Sequence, residues 1–204
     1  MSASGKKSPR RYLRAGERRE QLLAAAAELV GKQGWGGLGM IPLAEAAGVS
    51  RQLVYEHFEN VDVLHLEVTR FLFEEVFRAV SEALERHPED LLAATRTGIR
   101  LMLELPRAAR LALRDLAASP ADAGSTVDRQ RARNKRQVTD LWVGPIRRQT
   151  GIGLREARAL AWMMNVAAWA LFDLVEDGTL TREEAVDFYA RASLGALSAL
   201  VAES

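Results

Sequence analysis

Few side chains in this sequence could carry out catalysis or bind a metal. Cysteine is absent, which excludes disulfides, thiolate zinc sites, iron–sulfur clusters and a thiol nucleophile. The histidines, at positions 57, 65 and 87, have no spacing that places two metal ligands on one face of a helix. The sequence also has no phosphate-binding loop and no glutamate–histidine metal motif. We therefore expect no metal, no cofactor and no enzymatic activity.

Polar side chains of a different kind open a short segment at residues 51–58. Ser50, Arg51 and Gln52 stand at its start, and Tyr55 and His57 follow. In the major groove of DNA, arginine pairs with guanine and glutamine with adenine. On a helix that enters the groove, the N-terminal residues reach the base edges. The types and order of these residues therefore indicate binding to double-stranded DNA, in which Ser50 could also bind a phosphate.

The elements around this segment have the pattern of a helix-turn-helix motif. Gly48 lies where the turn requires a positive φ, Val49 fills the turn, and Ser50 caps the second helix. An ordinary helical hairpin is the alternative. The complete set of residues in register favours the helix-turn-helix motif. Its inward-facing residues are predicted to be Leu43, Ala44, Ala47, Leu53, Val54 and Phe58.

Positive charge is concentrated at the start of the chain. Residues 1–19 carry a net charge of +6 and residues 20–60 a net charge of −3, although the whole chain carries only +1. Serine, glycine and proline predict a flexible arm over residues 1–13. The arm could follow the DNA backbone or enter the minor groove, or it could be a solubilising tail. The cations concerned are Lys6, Lys7, Arg10, Arg11 and Arg14.

Apolar residues recur at helical spacing along almost the whole chain, and no segment alternates as a strand does. The sequence predicts an all-α fold of about nine helices. Their ranges are about 14–33, 40–47, 51–58, 60–87, 88–105, 106–119, 126–149 with a kink at Gly144–Pro145, 154–176 and 181–202, with a loop at 121–125. No uninterrupted apolar run reaches the about 20 residues of a membrane helix, and the start is not a signal peptide. We expect a cytoplasmic protein.

The last two predicted helices differ from the others in their apolar pattern. Within the helix over 154–176, residues 157–175 are apolar on almost every side, and within 181–202 residues 185–201 are similar, with small residues interspersed. A helix that is apolar all round must be covered all round. We therefore expect a homodimer in which these two helices of each subunit form a four-helix bundle. For the first of them, burial within one subunit is the alternative.

The N-terminal part of the chain, about 70 residues, resembles the TetR family of bacterial transcriptional regulators. The resemblance is carried by QLLAAAAELV at 21–30, Gly34–Trp35, LAEAAGVSR at 43–51, YEHF at 55–58 and the helix start at Asn60. It implies an Ω-shaped dimer. In each subunit a three-helix DNA-binding head, residues 14–60, sits on a larger helical ligand-binding and dimerisation body, residues 61–204.

The resemblance also implies roles for single residues. Tyr55 and His57 match positions that contact phosphate in the family, although either could instead be a packing residue. This chain has Gly39, Ile41 and Val61 where the family often has threonine, arginine and lysine. Several usual phosphate contacts are therefore missing.

We expect a ligand-responsive transcriptional regulator, a repressor that a small apolar effector releases from a palindromic operator. The alternative is a helical ligand-binding or interaction dimer whose DNA binding has weakened or been lost. Candidate effector contacts are large apolar rings with polar anchors, although core or dimer packing would explain each of them as well. They are Met102, Trp142, Trp162, Met163, Asn165, Trp169, Phe172 and Asp173.

Overall fold

A computed structural model of the chain describes residues 15–118 and 126–202. These residues form nine α-helices and a short 3-10 turn at Trp35–Gly37, with no strand among them, which confirms the predicted all-α fold. The helices are α1 (Ala15–Gln33), α2 (Met40–Ala46), α3 (Arg51–His57), α4 (Val61–Arg86), α5 (Leu91–Glu104), α6 (Arg107–Ala118), α7 (Thr126–Thr150), α8 (Leu154–Glu176) and α9 (Arg182–Ala202). The predicted arm, Arg14 and the predicted loop at 121–125 lie outside the described residues.

Helix ends follow from local capping groups. The backbone of Gly34 has a φ of 73° and ends α1, as the sequence predicts. The side-chain oxygen of Asn60 accepts a hydrogen bond from the Val63 amide at 3.0 Å and begins α4. Before α9, Thr181 and Glu184 each accept a hydrogen bond from the other's backbone amide, at 3.3 Å and 2.8 Å.

One predicted helix start needs revision, and one predicted helix contains a proline. The predicted start of α5 at Pro88 is wrong, because Asp90 accepts a hydrogen bond from the Ala93 amide at 2.9 Å and the helix begins at Leu91. Pro145 lies inside α7, and the helix continues past it to Thr150. A proline cannot donate the hydrogen bond to the carbonyl four residues earlier, but this missing donor does not end the helix.

The first three helices pack into a small head, and α4 leads from the head into a body made of α4–α9. Fully buried residues such as Leu22, Leu43 and Phe58 form the core of the head. The head also touches the body through α1 and α6. A Cβ placed on Gly31 would lie 2.8 Å from the carbonyl carbon of Ala108, so the two backbones meet at a residue that has to be small.

Helix α8 passes through the body in contact with α6, α7 and α9. It is 23 residues long with a mean hydropathy of 1.3 in its most apolar window, so by length and composition alone it could cross a membrane. A single helix of this kind is weak evidence for a membrane span, because a core helix can have the same length and composition. Only 33% of that window is buried within the chain, which leaves apolar surface on α8 uncovered.

Candidate nucleic-acid interface

The turn between α2 and α3 fixes the direction in which α3 leaves the head. Gly48 has a φ of 63°, a backbone conformation that favours glycine. Next to it, the Val49 amide donates to the Ala44 carbonyl at 3.0 Å, which closes the turn. The Ser50 hydroxyl then accepts a hydrogen bond from the Leu53 amide at 3.2 Å and begins α3. The roles predicted for Gly48 and for Ser50 as a cap are confirmed.

Helix α3 has one buried side and one exposed side. Val54, within the helix, and Phe58, just after it, are fully buried against the head. Arg51, Gln52, Tyr55 and Glu56 are exposed and form what we call the outer face of α3. An α-helix with its side chains is about 10–12 Å in diameter, which fits the about 12 Å width of the DNA major groove. The outer face is therefore accessible to a duplex.

Two hydrogen bonds orient side chains on and behind this face. On the outer face, the Gln52 amide nitrogen donates to a Glu56 carboxylate oxygen at 3.3 Å. Behind it, the Arg19 guanidinium donates to the His57 carbonyl at 2.7 Å. Arg19 also pairs with Glu67 at 3.2 Å and lies 5.0 Å from the centre of the Phe58 ring. Arg19 therefore ties α1 to the end of α3 and to α4.

This structural role of Arg19 was not predicted from the sequence. By sequence position, Arg19 belongs to the basic N-terminal group, but its contacts lie within the head. Only the fold could reveal this role, because its partners lie 38 and 48 residues later in the chain. The His57 ring is half-buried and lies 6.5 Å from the Phe58 ring, whereas Tyr55 is 55% exposed.

The described head is short of positive charge. Residues 15–60 contain four arginine or lysine residues and six glutamates, a net charge of −2. Ile41 and Val61 are 42% and 41% exposed, so two apolar side chains stand where cations would be expected. The residues 1–14, which lie outside the described structure, contribute five cations and no carboxylate. The described head therefore offers little positive charge to DNA phosphates.

Comparisons with known proteins agree with this geometry. The sequence profile of "Bacterial regulatory proteins, tetR family" matches residues 22–68, from α1 into α4. A stretch of 84 residues is 34% identical to the HTH-type transcriptional activator FasR of Mycolicibacterium smegmatis. That stretch covers 41% of this chain and 32% of the relative, so the chain spans about a third of the relative that it matches. Residues 22–68 therefore carry the DNA-binding head of the TetR family.

Solved structures extend the likeness in fold to the body. A transcriptional regulator from Rhodococcus sp. Rha1 superposes with a TM-score of 0.72 at 21% identity, covering 88% of this chain and 95% of that one. A TetR-like regulator from Rhodococcus sp. RHA1 gives 0.69 at 20% identity, covering 91% and 98%. At such identities the likeness concerns the fold alone. The likeness in sequence to the TetR family thus covers the helix-turn-helix head, and the likeness of the body is one of fold.

In the body, the candidate effector contacts differ widely in exposure. Met102, Trp142 and Phe172 are buried, Trp162, Met163 and Asp173 are exposed, and Asn165 and Trp169 lie between. Several already have protein partners. Asn165 donates to the Ala161 carbonyl at 2.9 Å, Asp173 pairs with Arg114 at 2.6 Å, and Lys135 lies 5.0 Å from the Trp162 ring centre.

An open cavity lies elsewhere in the body, between α4 and α7. Its volume is about 300 Å³, and its lining includes Phe73, Phe77, Asn134 and Val138. None of the predicted effector contacts lines this cavity. Helical spacing alone does not separate pocket walls from the core and the outer surface, so the effector contacts on α8 remain a prediction.

The surface of α8 and α9 carries exposed apolar side chains. Met163 is 65% exposed, Val166 49% and Phe188 54%. On the inner side the two helices are joined, because the Tyr189 hydroxyl donates to the Met164 carbonyl at 2.6 Å. Burial raises the pKa of the Tyr189 phenol, which therefore stays protonated as a donor. The helix pair is fixed on its inner side and apolar on its outer side.

A group of charged residues also connects α8 to α6. Glu176, at the end of α8, accepts hydrogen bonds from Arg110 and, at 2.6 Å, from Arg107. Arg110 is 5% exposed and also donates to the Leu103 carbonyl at 3.1 Å. The hydrogen bonds from Arg110 and Arg107 lower the pKa of Glu176. Helix α6 also contacts α1 of the head. The ion-pair group therefore fixes the helix through which the body contacts the head.

Proposed function

We propose that this chain is a ligand-responsive repressor that binds a palindromic operator as a homodimer. The proposal is carried by the exposed outer face of α3, set by the turn at Gly48. Two such helices related by a two-fold axis would engage half-sites about 34–36 Å apart, one DNA turn. The domain division proposed is an arm over 1–13, a head over 14–60 and a body over 61–204.

Base reading is assigned to the first turn of α3. Arg51 contacts a guanine, and Gln52 contacts an adenine. Ser50, Tyr55 and His57 position the helix by contacting phosphates, which carry no sequence information. Selection of bound duplexes from a random pool tests these roles. Arg51→Ala should lose discrimination at one base pair in each half-site, whereas Tyr55→Phe should weaken binding to all sequences alike.

Absence of binding would favour the alternative function. A head without DNA affinity would show no salt-sensitive binding to random duplex at low salt, and the chain would then be a ligand-binding or interaction dimer. The exposed Ile41 and Val61 support that alternative, since both offer phosphates no charge. A measured affinity for random duplex that falls with rising salt would rule out this alternative function.

The arm is proposed to supply most of the phosphate attraction. Its cations Lys6, Lys7, Arg10, Arg11 and Arg14 would offset the negative charge of the head. Deleting residues 1–11 removes four cations. It should weaken binding and reduce the slope of log affinity against log salt by about 0.9 per cation lost, so by three to four per subunit. An unchanged slope would mean that the arm is only a tail.

We assign the dimer interface to the outer sides of α8 and α9. Those apolar side chains would be covered by the same helices of a second subunit, as a four-helix bundle. Met163→Glu places a charge in this interface and should reduce the solution mass to that of one 22.5 kDa chain. Phe77→Glu adds the same charge to an exposed ring on α4 and should leave the dimer intact. A monomeric wild-type protein would overturn the assignment.

Release from DNA is proposed to follow a population shift. An effector that binds better to a body holding the heads at another separation would free the operator. A coupling of about 1–3 kcal/mol is sufficient for a clear change in affinity. The effector is proposed to be a small apolar molecule, and a screen for compounds that release the selected duplex tests this.

The sign of regulation is a separate question. The similar regulator FasR is named an activator, so DNA binding alone does not fix the outcome for this chain. Transcription in vitro from a promoter carrying the selected operator, with and without protein, distinguishes repression from activation. We propose a cytoplasmic protein that performs no enzymatic reaction.

A further inference from the structure

Glu56 is the one member of the outer face of α3 that the roles above leave unassigned. It is exposed beside Arg51, Gln52 and Tyr55, one helical turn after Gln52. A carboxylate facing DNA costs affinity through repulsion from phosphate. Its position among the groove-facing residues therefore requires a reason other than affinity.

The hydrogen bond between Gln52 and Glu56 suggests what that reason is. It uses one of the two amide hydrogens of Gln52 and holds the two end groups 3.3 Å apart. The second amide hydrogen and the amide oxygen of Gln52 remain available to pair with adenine N7 and N6. The Glu56 carboxylate also remains able to accept, because each of its oxygens has two lone pairs.

We propose that Glu56 is a specificity-determining residue that selects a cytosine next to the adenine contacted by Gln52. This inference rests on the proposed DNA-binding function. The two end groups lie 3.3 Å apart and neighbouring base pairs about 3.4 Å apart, so the pair is able to reach neighbouring base pairs.

Base chemistry decides in favour of cytosine. A carboxylate only accepts hydrogen bonds, and cytosine offers the N4 amino group as a donor in the major groove. Guanine and thymine present acceptors there, which repel the carboxylate. Adenine offers N6, but its N7 acceptor lies beside that donor. Glu56 thus lowers affinity for DNA in general and raises the preference for one sequence.

This combination of effects gives a distinctive test. Glu56→Gln removes the charge and adds a donor, so it should bind random duplex more tightly while losing about five- to tenfold of the preference for cytosine at one position in each half-site. Glu59→Gln is the matched control. Glu59 is also exposed, but it follows the end of α3 and lies off the outer face. It should tighten binding to all duplexes and keep the cytosine preference.

The experiment selects duplexes from a random pool with the full-length wild type and both variants, then measures affinity for the selected and random duplexes. A second measurement replaces the selected cytosine by 2-pyrimidinone, which lacks only the N4 amino group. This replacement should weaken the wild type more than Glu56→Gln, because a neutral amide oxygen accepts a weaker hydrogen bond from N4 than a carboxylate does. Unfolding curves should coincide for all three proteins, because both glutamates are exposed.

The possible outcomes separate this inference from the function on which it rests. If the wild type selects no duplex, both are overturned. If the wild type selects a palindrome and Glu56→Gln selects the same bases with the same strength, only the role of Glu56 is overturned. An equal loss of cytosine preference in Glu59→Gln would also overturn it, because the effect would then be one of charge alone.

Discussion

Replacing Arg19 tests whether the head is held together by the contacts that join α1, α3 and α4. Its guanidinium donates to the His57 carbonyl, pairs with Glu67 and lies against the Phe58 ring. A hydrogen bond from a charged group contributes about 1.5–3 kcal/mol, the partly exposed ion pair up to about 1, and the ring contact about 0.5–1. The three share one side chain and do not add fully.

We therefore expect Arg19→Ala to lower the free energy of unfolding by about 2–3 kcal/mol, measured by urea denaturation. The neighbouring Arg18 is the control, since it donates only to Gln21 one turn away on the same helix, at 3.2 Å. Arg18→Ala removes the same charge and should change stability by less than about 0.5 kcal/mol.

DNA affinity at fixed salt gives a second readout of the same change. Both arginine variants lose one positive charge, so their affinities should fall equally if charge alone matters. Arg19→Ala should fall further, because the end of α3 is no longer tied to α1. Equal stability and equal affinity in the two variants would refute the structural role of Arg19.

Three further substitutions test other contacts. Gly48→Ala should destabilise the fold by about 1–2 kcal/mol, because residue 48 has a positive φ. Gly48→Asn should cost less stability, as measured by thermal unfolding. Equal losses of stability in the two variants would argue against a conformational cause. Gly31→Ala should destabilise the fold by about 1–3 kcal/mol or more, because the added methyl group overpacks against α6. Gly16→Ala should not, because the space around Gly16 is open. The pKa of Glu176 is lowered in the fold, so its stabilising effect is complete above the ordinary glutamate pKa of about 4.3 and disappears as pH falls through the lowered value. The stability gap between wild type and Glu176→Gln should thus be wide at pH 7 and close in acid; a gap independent of pH would contradict the ion pair with Arg110.

Local signals were sufficient to predict much of the fold. Gly34, Asn60 and Thr181 act on neighbouring backbone groups, so the helix ends that they set could be predicted from sequence alone. The same holds for the turn at Gly48 and the cap at Ser50. The predicted start of α5 was wrong because Pro88 and Asp90 are both residue types that favour the start of a helix. The hydrogen bond that Asp90 accepts determined which of them begins α5.

The contacts that sequence reasoning missed join residues far apart in the chain. Arg110 and Glu176 are 66 residues apart, and no local pattern pairs them. Arg19 has the same charge as Arg18, and only its contacts in the fold distinguish the two residues. For the body, apolar spacing identified the helices but not which of their side chains are buried. Trp162 and Phe172 have similar spacing on α8 and very different exposure. DNA contacts and effector contacts remain predictions.

The division of α3 into two sides has an evolutionary consequence. Val54 and Phe58 anchor the helix, and the four exposed positions do not contribute to that anchor. Exposed substitutions usually change stability by less than about 0.5 kcal/mol. Paralogues could therefore diverge at these four positions and acquire new regulons while the rest of the head stays constant. A library randomised only there would sample new target sequences at little risk of misfolding.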